Sequence, residues 1–359
     1  MKICVFGTRG FPDIQGGVEK HGEHLYPRFP ADCEFTVFRR RPYVRSAATY
    51  PRIRFIDLPS TRVKGLEAAL HSFLAALACL FLRPDLVHIH NIGPACFSPL
   101  LRLFGLPVVL TYHSPNYEHA KWGALAKMLL KGSEWIAFRC ASAVVFVNKF
   151  QMGKAPAAIR KKSRYIPNGV EPHVRAAAPD ILARLGLEPD RYLLAVGRLT
   201  PEKGFDVLIG AFRQLAAPGL KLVIAGGVDN EGPHARELRA RAGDAPVVFA
   251  GALDPDDLLP LYDRARLFVL PSRNEGFPLA LLEAMAAGCD VLVSDLPATR
   301  LVELPAGDYV PAGDASALAA RLKEKLAGPK PARAYDLAAF DWNLVAAQTR
   351  AAYLAAAPS

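Results

Sequence analysis

Short, nearly continuous apolar runs rich in β-branched residues punctuate the chain. KICVFG (2–7), CEFTVF (33–38), IRFIDL (53–58), LVHIH (86–90), PVVLTY (107–112) and AVVFV (143–147) form one series. YLLAVG (192–197), KLVIAG (221–226), PVVFAG (246–251), RLFVLP (266–271) and DVLVSD (290–295) form a second. Helix-length patterns separate most of them. Runs that do not alternate with polar residues predict strands buried on both faces, parallel and joined by crossover helices. The Pro-Asn-Gly turn of YIPNGVEP (165–172) divides the two series. The predicted fold class is α/β, with two doubly wound domains, 1–170 and 171–340, facing each other across a cleft. Residues 341–359 carry an Ala-rich amphipathic helix, FDWNLVAAQTRAAYLAA (340–356), expected to return to the first domain.

The 359 residues suffice for two cores, and 51% are hydrophobic, which excludes a disordered or fibrous chain. Six cysteines stand at scattered positions without CxxC spacing, the pattern of buried free thiols in a reducing compartment. The start, MKICVFGTRG, reaches glycine after four apolar residues, too few for the apolar region of a secretion signal. LEAALHSFLAALACLFL (66–82) is too short to span a bilayer and carries Glu67 and His71. It reads as a core helix, with a place on a membrane surface as the alternative. A cytoplasmic protein is expected, or one peripheral to the inner face of the cell membrane.

Charge is uneven. Residues 1–170 hold 24 Lys and Arg against 10 Asp and Glu, and residues 171–359 hold 20 against 24. The excess gathers at FRRRPYVR (38–45), at Arg52, Arg54, Arg62 and Lys64, and between Lys121 and Arg164. It reads either as an anionic partner for the first half or as a solvated basic face. No basic motif interleaved with aromatic residues is present, so no nucleic-acid partner is expected.

The chemistry concentrates in three turns. In SRNEGFPLALLEAMAAG (272–288), Glu275 and Gly276 precede a helix expected to begin at Pro278, and Glu283 lies just over a turn inside it. The amides of Phe277, Leu279 and Ala280 would point beyond the strand end and favour a phosphate. The two carboxylates suit adjacent sugar hydroxyls, although acids near a helix start are also favoured by the helix dipole alone. In AVGRLTPEKGFDVLIGAF (195–212), a strand ends at Gly197 and Arg198 and Lys203 occupy the turn before a helix. Two fixed cations there would stabilise a departing diphosphate. In GTRGFPDIQGGVEKHGEHL (7–25), Gly16 and Gly17 open a helix and allow close backbone approach, without the spacing of a dinucleotide fingerprint. His113 follows a strand at the first domain's ligand edge. His88 and His90 lack further ligands at suitable spacing, so no metal is expected. Asp254, Asp256 and Asp257 fit helix capping better than a cation site. Neither GxSxG nor GxxxxGK[ST] occurs.

These segments together resemble the group 1 glycosyltransferases, retaining enzymes of the GT-B fold, which is built of two Rossmann-like domains. The matching pieces are the Gly16-Gly17 loop, YHS (112–114), IPNGV (166–170), VGRLTPEKG (196–204), GFPLALLEAMAAG (276–288), the Glu275/Glu283 pair and PAGD (311–314). The opening FGTRGFPDIQGGVEKHGEHLYPRF is similar to the branch that builds bacterial surface polysaccharides. The resemblance implies an N-terminal acceptor domain and a C-terminal domain that binds a UDP- or GDP-sugar. It implies that Arg198 and Lys203 hold the diphosphate, Glu275 binds the transferred sugar and Glu283 binds the ribose. Leu279 and Ala280 would touch the phosphate through their amides, Gly17 would approach it, and His113 would contact the sugar. No cofactor or metal is implied. The acceptor would be a lipid-linked glycan at an anionic membrane, drawn to the Arg39–Arg41 and Arg160–Arg164 clusters. The alternatives are a soluble small-molecule acceptor or a nucleotide-sugar-binding protein without turnover. Two departures stand out: Cys289-Asp290-Val291 where the family often has Pro-Val-Val, and Asn148 where a Ser is typical.

Overall fold

The computed structural model describes residues 1–14, 16–44, 46–61, 63, 66–118, 123–174, 180–227 and 232–357. Gln15 of the glycine loop and the basic residues Arg45, Arg62, Lys64 and Lys121 lie outside the described residues. The chain divides into two compact units, Met1–Gly169 with Ala339–Ser359, and Val170–Ala338.

In the first unit, the described strands are β1 (Lys2–Phe6), β2 (Glu34–Arg40), β3 (Ile53–Leu58), β4 (Leu86–His90), β5 (Val108–Tyr112), β6 (Ala143–Phe146) and β7 (Ser163–Tyr165). They form one parallel sheet in the order β3-β2-β1-β4-β5-β6-β7. β1, β4, β5 and β6 are buried on both faces, which is why their sequences lack alternation. One face of the sheet packs Phe6, Phe38, Val87, Ile89, Leu110 and Phe146 into a core. The helix Trp342–Ala356 belongs to this unit and buries Trp342, Val345 and Tyr353. Trp342 stacks on His24, Tyr353 stacks on Phe29, and Arg350 pairs with Asp32. Asn148 explains one departure from the family pattern: its side-chain oxygen accepts from the amides of Phe150 and Gln151 and caps the helix Lys149–Lys154.

The second unit holds β8 (Tyr192–Val196), β9 (Lys221–Ala225), β10 (Val247–Gly251), β11 (Leu267–Leu270), β12 (Val291–Ser294) and β13 (Tyr309–Val310), parallel in the order β10-β9-β8-β11-β12-β13. Its core sets Phe205, Leu208 and Phe212 of the helix Phe205–Leu215 against Leu193, Ile224 and Val269 of the sheet. The other departure, Asp290, is fully buried just before β12. With Asp308 it forms a cluster of ion pairs to Lys325 and Arg333. Two acids balance two cations, so this departure ties the last helix of the unit to its sheet and lies away from the strand ends that carry the chemistry. Removing one member leaves unpaired buried charge. Asp290→Ala is therefore expected to lower the unfolding free energy by ~3–5 kcal/mol, read from urea transitions, and a loss under ~1 kcal/mol would contradict this role.

Two expectations change. Pro278 is not the first helical residue: its backbone is extended, it stands at the cap, and the helix runs Leu279–Ala286. Asp254 stands at the cap of the helix Pro255–Arg264 but makes no capping hydrogen bond with its side chain, and Asp257 pairs instead with Arg184.

Candidate active site

The second unit builds its site where the sheet order reverses. β8 and β11 are adjacent and parallel, so the turns that follow them emerge side by side at the C-terminal edge. Ligands of open α/β sheets bind at such switch points. The turn after β8 folds back through a 3-10 turn, Pro201–Lys203, to Gly204. Gly204 has φ +65°, and a Cβ there would stand 2.1 Å from the carbonyl oxygen of Pro271, so only glycine lets the two turns touch. Arg273 binds them further. Its guanidinium grips Asp206 at 2.6 and 2.7 Å and donates to the Pro201 carbonyl at 3.1 Å, while its amide donates to the Glu202 carbonyl at 2.8 Å.

Lys203 and Glu275 meet on this frame. Lys203 Nζ lies 2.6 Å from Glu275 Oε1, and Ser272 Oγ donates to the same oxygen at 2.7 Å. The Glu275 side chain is only 8% exposed, so these two donors rather than water satisfy Oε1. The Lys203 stem runs over Gly197, where a Cβ would stand 3.2 Å from Lys203 Cε. Arg198 follows Gly197 in the same turn. Gly276 and Phe277 lead from Glu275 into the helix Leu279–Ala286. The Pro278 carbonyl accepts from Leu281 and Leu282, so the amides of Leu279 and Ala280 stand first at the N-terminus, without carbonyl partners from the helix. One turn on, Glu283 Oε2 accepts from the buried Tyr262 hydroxyl at 2.9 Å, which fixes its rotamer. Arg198, Lys203, Glu275, Glu283 and these amides therefore all belong to two adjacent turns and the helix after the second.

In the first unit, Gly16 precedes the helix Gly17–Leu25. The Glu19 carboxylate lies over Gly16, where a Cβ would stand 2.0 Å from Oε2, and Glu19 Oε1 accepts from the Arg9 amide at 3.0 Å. His113 is joined to a buried polar chain. Tyr353 and Tyr26 hydroxyls meet His88 Nδ1 at 2.6 and 2.8 Å, Tyr26 also meets His90 Nε2 at 2.6 Å, and His90 Nδ1 meets His113 Nε2 at 2.9 Å. His21, held by Asn168 at 2.8 Å, completes a triad with His90 and His113 whose ring nitrogens lie within 4.8 Å of one another. This is a set that could hold a metal, and reading only the His88/His90 spacing missed it.

Burial keeps these imidazoles neutral: His21 is held down to about 4 and His88 to about 3, with His90 and His113 well below their ordinary value. The unfolded imidazole takes a proton near pH 6.5, so between pH 6.5 and about 4 the unfolded chain binds more protons than the folded one. Stability therefore rises with pH across that window and is lost as pH falls through it, by up to about 1.4 kcal/mol per pH unit for each histidine. Thermal melts are expected to shift down by more than ~5 °C from pH 7.5 to 5.5, and an unchanged transition would contradict the neutral network.

A cavity of ≈490 Å³ lined by Lys2, Glu34, Arg52 and Arg54 lies at the opposite, N-terminal end of β1–β3 and contains none of these residues. Signals for Ser272 and Arg273 were present in the same turn as Glu275. Those for Tyr262, His21 and Asn168 depend on contacts between distant segments.

The charge of the Arg39–Arg41 cluster is mostly spent within the protein. Arg39 pairs with Asp57 at 2.7 Å, Arg40 with Glu67 at 2.5 Å, and both are buried. Two of the cluster's three guanidinium groups thus neutralise neighbouring acids, and Arg41 is the exposed one.

Comparisons with known proteins agree with the fold and the motifs. Residues 15–174 match the family described as Glycosyltransferase Family 4, and residues 179–342 that described as Glycosyl transferases group 1. The chain is 32% identical over 373 residues to the phosphatidyl-myo-inositol mannosyltransferase of Mycolicibacterium smegmatis, covering 95% of this chain and 90% of that one. It is 32% identical over 306 residues to a glycogen synthase of Mycobacterium tuberculosis, covering 76% and 69%. The solved sucrose-phosphate synthase of Thermosynechococcus elongatus matches 98% of both chains with a TM-score of 0.81 at 26% identity. The Anabaena protein HepE, solved with UDP and glucose, matches 98% of both chains with a TM-score of 0.76 at 17% identity and bears on the fold alone. Two parallel α/β sheets, the paired family matches and these relatives together show that the chain belongs to the group 1 glycosyltransferases and has the GT-B fold.

Proposed function

We propose that the chain is a retaining, metal-independent glycosyltransferase that moves a sugar from a UDP- or GDP-sugar to a lipid-linked glycan in bacterial surface polysaccharide synthesis. The observation that carries this reading is the Lys203–Glu275 pair, held at 2.6 Å in the turns between β8 and β11 with Arg198 alongside in sequence. Arg198, Lys203 and the amides of Leu279 and Ala280 hold the diphosphate. Glu275 keeps Oε2 for a hydroxyl of the transferred sugar, because Lys203 and Ser272 both take Oε1. Glu283 binds the ribose hydroxyls. The first unit takes the acceptor, with Gly17 and His113 in the roles the family resemblance implies.

In the reaction, the bond from the anomeric carbon to the diphosphate oxygen breaks and a bond to the acceptor oxygen forms on the same face. The acceptor's proton passes to a diphosphate oxygen. As the C–O bond breaks, negative charge grows on the diphosphate, so the two cations bind the transition state more tightly than the substrate. No protein base is required, and the two cations and the helix amides already oppose the phosphate charge without a metal.

The test is a panel of UDP- and GDP-sugars scored by thermal stabilisation, followed by transfer to candidate acceptors and NMR assignment of the product anomer. Stabilisation by one nucleotide sugar and an unchanged anomeric configuration are expected. No stabilisation by any donor, or inversion, would overturn the reading. Exhaustive dialysis against EDTA is expected to leave transfer unchanged. Loss of transfer restored by Zn²⁺ would instead make the His21–His90–His113 triad a working metal centre. Relatives named for a glycogen synthase and a sucrose-phosphate synthase keep a soluble acceptor as the second reading.

A further inference from the structure

The helix Leu66–Leu82 is apolar on both faces, and Ala75, Ala76 and Cys79 pack into the core of the sheet. Its polar residues face inward: His71 and Ser72 are fully buried, and Glu67 is engaged by Arg40. Its outward stripe is apolar, with Leu66 61%, Phe73 42% and Phe81 86% exposed. A helix covering a sheet in water normally turns a polar face outward. The helix Ala124–Cys140 repeats the anomaly. Leu125, Met128, Leu129 and Trp135 recur at helical spacing on its exposed side, each at least 60% exposed. Between them, the helix Ser98–Leu103 and the residue after it expose Leu103 and Phe104. All three helices belong to the same layer of the first unit. Phe73 meets Phe97 at 5.7 Å, and Leu130 lies against the turn at Gly93 that leads into Ser98–Leu103.

Cations outnumber acids on this layer. Within the three helices the only acids are Glu67, already paired, and Glu134, which accepts from the Tyr112 and Tyr117 hydroxyls. Lys127, Lys131, Arg139 and Arg102 supply the cations, and Arg139 lies over the Trp135 ring at 4.6 Å. Exposed apolar stripes edged by Lys and Arg, with an indole among them, suit the boundary between acyl chains and anionic headgroups. Among the described residues no helix is long and apolar enough to cross a membrane, so the contact would be one of surface docking.

We infer that the outer face of these three helices docks the protein on an anionic lipid bilayer. The purpose of such docking rests on the lipid-linked acceptor proposed above; its place rests on the exposed side chains. Docking here also supplies what the buried Arg39 and Arg40 do not.

The full-length protein is sedimented with vesicles of phosphatidylcholine containing about one third phosphatidylglycerol, and with pure phosphatidylcholine. Binding to the anionic vesicles, weakened by salt, is expected. Phe73→Glu with Leu129→Glu should lower the partition about tenfold or more, with donor binding unchanged. Lys127→Glu with Lys131→Glu should remove the preference for phosphatidylglycerol. No binding by the wild type, or equal binding by the Phe73/Leu129 variant, overturns the inference. So does light scattering that shows a lipid-free dimer broken by the same variant, since the face would then be covered by a second copy. Vesicle binding together with transfer to soluble acceptors alone keeps the docking face and rejects the lipid-linked acceptor. Transfer to a detergent-solubilised lipid acceptor without vesicle binding does the opposite.

Discussion

Replacing Arg198 or Lys203 with alanine is expected to lower turnover about a hundredfold, or ~3 kcal/mol of transition-state stabilisation. The size follows from where the charge appears. A diphosphate leaving a sugar gains charge at the oxygen that loses its bond to carbon, and a fixed cation beside it gains most at that moment. Lys203 is fixed by its stem over Gly197 and by Glu275, and Arg198 shares the same turn, which Gly204 holds against the Pro271 carbonyl. Little reorganisation is then needed during the reaction, so losing either cation should appear in kcat and kcat/KM together. Initial-rate kinetics with the identified donor make the comparison. Turnover within about threefold of wild type in either variant would reject these roles.

Glu275→Gln should separate transfer from nucleotide binding. The substitution keeps the shape but removes the charge that pairs with Lys203, and it replaces one acceptor oxygen with a donor nitrogen. Lys203 stays cationic, so the diphosphate grip survives. A sugar hydroxyl that donated to the carboxylate loses its partner in the enclosed turn. Transfer is expected to fall about a hundredfold while the affinity for UDP or GDP changes by less than about threefold. Rates and nucleotide titrations on one preparation decide it. A collapse of nucleotide affinity with sound transfer would exchange the roles of Glu275 and Glu283.

The legible parts of this protein were those written locally. Eleven apolar runs located strands, most plainly in the sheet centres, where parallel strands buried on both faces need unbroken apolar sequence. β7 and β13 escaped notice, being sheet-edge strands of only three and two residues, too short to form an apolar run. The candidate site of the second unit was legible because its groups sit in two contiguous turns. What escaped depends on distance in sequence: Tyr262 reaching Glu283, Arg273 reaching Asp206, and Asn168 reaching His21 across 147 residues. Charge was the least legible quantity. FRRRPYVR looks like a basic patch, yet Asp57 and Glu67 neutralise Arg39 and Arg40. The helix Leu66–Leu82 shows the same limit, since its count of apolar residues suggests a core helix and only the structure shows which side each one faces.

The central claim is that the cationic turn of the second unit holds a nucleoside diphosphate. Isothermal titration of UDP and GDP into the wild type and the Arg198→Ala/Lys203→Ala double variant tests it most directly. One of the two nucleotides should bind the wild type and lose about a hundredfold or more in affinity, ~3 kcal/mol, in the folded double variant. Equal affinity for the two proteins would contradict the claim.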